Sequence, residues 1–71
     1  MTTLSQPQQK RFIRLPVVKD KTGQGRSSIY DGVAAGTFPA PVKIGSRAVA
    51  WLEHEVDAWI DARVQAARDA R

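Results

Sequence analysis

Seventy-one residues suffice for one small domain with a modest core, and the absence of cysteine excludes disulfide staples and thiolate chemistry. The net charge of +4 favours a polyanionic partner, and it is unevenly spread: Lys10 to Arg47 carries +6, whereas Ala48 to Arg71 carries −2. No apolar run approaches the ~20 residues of a membrane span, and Met1 to Gln9 has no hydrophobic signal core, so the expectation is a cytoplasmic protein.

The first residues are polar, glutamine-rich and aperiodic, which predicts a disordered arm over residues 1–11 and a single domain over 12–71. Phe12-Ile13 reads as a short extended lead-in. Leu15 to Thr22 reads as a helix of about two turns: Pro16 suits a first turn, where its missing N–H has no partner to lose, and Gly23 suits a left-handed stop. Leu15 and Val18 are expected to point inward. So short a helix cannot stand alone. Its neighbour follows Gly23-Gln24-Gly25: Arg26 to about Ala35 forms a second helix with Ile29 and Val33 inward. On a helical wheel Ser27, Asp31 and Ala34 lie opposite Ile29, with Ser28 and Tyr30 on the flanks. Gly36 ends it and Phe38-Pro39 turns the chain. Two helices joined by a glycine-containing turn make a helix-turn-helix.

Val42-Lys43-Ile44 alternates in and out, Gly45-Ser46 signals a turn, and Ala48 to Trp51 reads as the returning strand of a β-hairpin. From Leu52 the period returns to 3.6. Leu52, Val56, Trp59, Ile60 and Ala67 share one face beside the stem of Arg63, while His54, Asp57, Ala58 and Asp61 face away. Glu53, Glu55 and Asp57 load the first turns with the negative charge that the helix dipole favours. This third helix is expected to close the core with Trp51 and Trp59. The fold class is mainly α with a small β-hairpin: a winged helix-turn-helix of three helices and a two-stranded wing.

The outer face of the second helix is the leading candidate site. Arg26 can bond guanine or phosphate, and Ser27 and Ser28 are short enough to permit close approach to base edges and backbone. Tyr30 can send its hydroxyl to a phosphate, and the helix N-terminus itself favours phosphate oxygens. Lys43, Ser46 and Arg47 sit about the hairpin turn, where they can lie along the backbone or in the minor groove. Lys10, Arg11, Arg14, Lys19 and Lys21 are weaker candidates for nonspecific attraction. The bland alternative for each is an ordinary solvated surface; the combination with the charge split favours duplex DNA.

Enzymatic readings fail on chemistry. Gly23-Gln24-Gly25 opens like a dinucleotide loop, but Ser28 holds the third glycine position and no strand precedes it. His54 is the only histidine and is expected to be solvated; without cysteine or further histidines, no metal cage is expected. Ser27 and Ser28 have no histidine nearby in sequence to activate them. Neither catalysis nor a cofactor is expected.

Arg14-Leu15-Pro16, Thr22-Gly23, Arg26 to Tyr30, Gly36 to Pro39, Pro41 to Gly45, Val49 to Trp51 and Glu55 to Ile60, in that order and spacing, resemble the AlpA family of prophage regulators. That family is related to phage excisionases within the MerR-like winged-helix group. The resemblance covers Arg14 to Arg63. It implies a bacterial, nucleoid-associated transcriptional regulator of prophage or mobile-element genes, with Arg26, Ser27, Ser28 and Tyr30 on the recognition helix and Lys43 to Arg47 in the wing. Two positions depart from the family pattern. Asp31 stands where a basic residue is common, suited to accept a cytosine amino group or to hold Arg26. Gly32 replaces a larger apolar residue, at roughly 1 kcal/mol of helix propensity relative to alanine.

Two rival readings use the same chain differently. An excisionase would bend DNA beside an integrase through the same surface; a protein-binding inhibitory module would dock through the acidic face of the last helix. With few cationic contacts, one copy is expected to bind modestly and to need adjacent copies or a partner protein.

Overall fold

A computed structural model describes residues 10–69; residues 1–9, most of the expected arm, lie outside the described part. The elements are β1 (Phe12–Ile13), α1 (Leu15–Thr22), α2 (Arg26–Ala35), β2 (Val42–Lys43), β3 (Val49–Leu52) and α3 (Glu53–Asp69). The three strands form one antiparallel sheet in the order β1-β3-β2. The wing is therefore part of a three-stranded sheet: the lead-in pairs Phe12 with Leu52 and Ile13 with Trp51, while β2 pairs Val42 with Ala50 and Lys43 with Val49. Pairing also corrects the start of the last helix. Leu52 belongs to β3, and helix geometry begins at Glu53, whose N–H donates to the carbonyl of Arg11 at 2.7 Å. No helix among the described residues is long and apolar enough to cross a membrane.

Both short helices stop where glycine permits a left-handed backbone. Gly23 has φ 71° and donates to the carbonyl of Lys19; Gly36 has φ 79°. After α2 the N–H of Gly36 reaches the carbonyl of Val33 and that of Thr37 reaches Gly32, the paired bonds of a Schellman stop. The inward positions of all three helices meet the sheet in one core. Val18, Ile29, Trp51 and Val56 are fully buried, joined by Ile13 and Phe38, with Leu15, Tyr30, Val33, Trp59 and Ile60 packed around them.

The turn leaving α2 is the most heavily constrained part of this core. The Trp59 Nε1–H donates to the carbonyl of Thr37 and the Trp51 Nε1–H to that of Pro39, each at 2.9 Å. Between them Phe38 is buried edge-on to Trp59, ring centroids 4.9 Å apart. Gly32 lies directly beneath: a Cβ there would sit 2.9 Å from the Cβ of Phe38. The glycine that weakens α2 as a helix is what lets the following turn close down upon it.

Several sequence expectations change in the folded chain. Lys21 is no free cation. Its Nζ lies 2.8 Å from Asp57 and 3.0 Å from Glu53, which also pairs with Arg11 at 3.4 Å; Asp57 stays exposed, as expected, while reaching toward α1. His54 is partly buried, and its Nδ1 is enclosed without a hydrogen-bond partner, in place of the solvated ring expected of the polar face. Ala67 is exposed, as is every described residue of α3 beyond Ile60, because the helix outruns the sheet and helices that cover its first half. Val42, Lys43 and Ile44 are all exposed, in place of the in-and-out alternation expected of them.

Two predictions follow from this packing. Gly32→Ala gains about 1 kcal/mol of helix propensity but forces Phe38 away at a cost of ~1–3 kcal/mol; the expected thermal-denaturation result is a lower Tm, and a raised Tm contradicts the close-approach argument. Hydrogen bonds from Lys21 to Asp57 and then Glu53 raise its pKa above the ordinary 10.5. A raised lysine pKa stabilises the fold fully below the unfolded value and loses that contribution as pH rises through the folded value. The Tm gap between wild type and Lys21→Gln should accordingly stay constant from neutral pH to about pH 10 and close above it.

Candidate nucleic-acid interface

The candidate surface is built on α2. Ile29 anchors the helix in the core, so the wheel fixes what remains outside: Arg26, Ser27, Ser28 and Asp31 are exposed and Tyr30 is half-buried. Arg26, Ser27, Tyr30 and Asp31 together line an open recess of about 340 Å³. Within it the Arg26 guanidinium lies over the Tyr30 ring, 5.3 Å from its centroid. Such stacking costs the arginine little of its hydrogen-bonding capacity, since the fork of N–H donors stays available at the ring's edge. Tyr30 is held in turn: its ring meets Trp51 edge-on at 5.9 Å and 68°. Asp31 shares the recess but forms no ion pair with Arg26 among the described residues.

Ser28 separates from this group. It lies on the other flank of α2, in a second, smaller recess of about 140 Å³ that also contains Gln24, Thr37, Trp59 and Arg63. Arg63, expected only as a stem beside the apolar stripe, lays its guanidinium over Trp59, 5.6 Å from the ring centroid. The signal for both arginines is an aromatic residue four positions away, the spacing that brings side chains together on one helix face.

The wing residues Lys43, Ser46 and Arg47 are exposed, and neither cation has a salt-bridge partner among the described residues. Strand register fixes the orientation of Lys43. It pairs with Val49, and Val49 shares a sheet face with Trp51 two residues on, the face against which Tyr30 packs. Lys43 and Tyr30 thus belong to the same side of the sheet. Neither α2 recess includes a wing residue, so helix and wing present adjoining surfaces rather than one pocket. The N-terminus of α2 is open as well. Gly25 caps it without a side chain, and the first intrahelical bond is from the N–H of Ile29 to the carbonyl of Gly25, leaving the amides of Arg26, Ser27 and Ser28 without helical partners.

The family model described as Prophage CP4-57 regulatory protein (AlpA) matches residues 11–64. The chain is 45% identical over 56 residues to the uncharacterized protein ORF88 of Enterobacteria phage P4, a match covering 79% of this chain and 64% of that protein. It is 39% identical over 59 residues to the DNA-binding transcriptional activator AlpA of Escherichia coli (strain K12), covering 75% of this chain and 84% of the relative. No solved structure matches significantly. With the matched segment running from β1 through most of α3, the chain belongs to the AlpA family of prophage regulatory proteins.

Proposed function

We propose that the chain is a sequence-specific, double-stranded DNA-binding transcriptional regulator of prophage or mobile-element genes. The observation that carries the reading is the outward face of α2: an arginine pre-oriented on a core-anchored tyrosine, the exposed Ser27 beside them and a helix N-terminus without a side-chain cap, with Tyr30 on the same side of the sheet as Lys43. The name of the Escherichia coli relative, a DNA-binding transcriptional activator, supports it.

In this reading α2 enters the major groove, where Arg26 addresses a guanine edge or a phosphate and Asp31 accepts from a cytosine amino group. Ser27 and Ser28 keep the helix surface low enough for close approach, and the open amides at the start of α2 favour a phosphate oxygen. Lys43, Ser46 and Arg47 follow the backbone beside the groove or enter the adjoining minor groove. Each copy offers few cations, so occupancy depends on adjacent copies along the DNA and falls steeply with salt.

Selection of binding sites from random duplexes, followed by titration of the selected site across a salt series, tests this. We expect Arg26→Ala to lower affinity for the selected site by about tenfold and to relax preference at one base pair. Lys43→Ala should instead weaken binding uniformly across sequences. Failure to enrich any duplex, or binding indifferent to salt, overturns the proposal.

A further inference from the structure

The recess on the α3 side of α2 has a composition that recognition-helix reasoning does not use. Its donors come from three separate parts of the chain: the Gln24 amide from the turn between α1 and α2, the Ser28 hydroxyl from the first turn of α2, and the Arg63 guanidinium from α3. No carboxylate lines it, and Arg63 is its one charged residue. No acid stands three or four residues from Arg63 along α3, since Trp59, Ile60, Ala66 and Ala67 occupy those positions, and among the described residues Arg63 has no salt-bridge partner. Nothing local competes for the guanidinium.

The arginine is also positioned rather than loose. Its plane rests over Trp59, whose indole N–H is fixed on the Thr37 carbonyl and whose ring is fixed against buried Phe38. The recess runs along the flank of α2, from Gln24 and Ser28 beside its first turn, where the Ser28 amide has no helical partner, to Gly32, Thr37 and Phe38 beside its last. A charged fork, a hydroxyl and an amide around one opening are the donor set for an oxygen-rich anion.

We propose that Arg63, with Ser28 and Gln24, forms a phosphodiester-binding recess that anchors the nucleic-acid backbone on the flank of α2 opposite Arg26. This rests on the reading of the chain as a duplex binder and extends its interface onto the third helix. The two flanks then use the same device, an arginine laid on an aromatic ring of its own helix. A backbone anchor carries no sequence information, so its signature differs from that of a base contact.

The test compares full-length wild type, Arg63→Gln and Arg63→Lys on one selected duplex and one scrambled duplex across a salt series, with circular dichroism confirming the fold. Arg63→Gln should lose about tenfold in affinity on both duplexes alike and reduce the slope of log K against log salt by about 0.9. Arg63→Lys should retain the slope. In parallel, inorganic phosphate should shift the Ser28 amide and Trp59 indole NMR signals in wild type but not in Arg63→Gln. Unchanged affinity and slope in Arg63→Gln, while wild type binds DNA, overturn the recess and leave the proposed function standing. A wild type that shifts with phosphate yet binds neither duplex overturns both the nucleic-acid anchor and the proposed function, leaving a site for free phosphate only.

Discussion

The approach of Phe38 onto Gly32 is the contact on which the arrangement of the molecule depends. At 2.9 Å to any Cβ there is room for no side chain at Gly32, so the turn after α2 folds back tightly against its own helix. That places Phe38 in the core and turns the carbonyls of Thr37 and Pro39 toward two indoles. One indole belongs to β3 and the other to α3. A single close approach therefore sets the position of the exposed helix relative to the sheet and to the last helix. The Trp51 ring is fully buried and its N–H would be costly to leave unpaired, so it cannot shift without losing that bond, whereas the Trp59 bond is exposed and holds its ring less firmly.

Charge follows from the same packing. α3 is acidic at its start, and Glu53 and Asp57 turn toward α1 and the lead-in strand, where they take Lys21 and Arg11. Exposed ion pairs of this kind contribute little to stability. Their larger consequence is segregation: acids that would repel a polyanion are neutralised on one side, while Arg26, Lys43, Arg47 and Arg63 have no salt-bridge partner among the described residues. The bracing pairs draw one cation each from the lead-in and α1 and both acids from α3, so the charge split along the sequence is partly cancelled where the two portions meet.

Much of the fold is legible in the sequence because its signals are local. Pro16, Gly23 and Gly36 mark helix limits, and Val18, Ile29 and Val56 mark inner faces by spacing alone. What escapes is long-range. Phe12-Ile13 is too short to announce a strand and becomes one only because β3 presents a free edge. Gly32 looks like a weakened helix position until Phe38 arrives above it. The candidate site divides likewise: Arg26, Ser27, Tyr30 and Asp31 are grouped by helical period, whereas Ser28 joins Arg63 across thirty-five residues of chain through a recess that no periodicity encodes.

Asp31 gains a physical role from that division. Sharing a recess with Arg26 without pairing to it, Asp31 offsets part of the positive charge on that face. In the proposed reading, an acid on that face penalises any site that brings an acceptor against it, which is discrimination by repulsion rather than by added affinity. In that reading, further attraction comes from the wing on one side and Arg63 on the other. On the proposed reading, a helix with an acid at its middle and cations at its margins holds DNA by its backbone while judging its bases, which is how a domain with so few cations achieves selectivity.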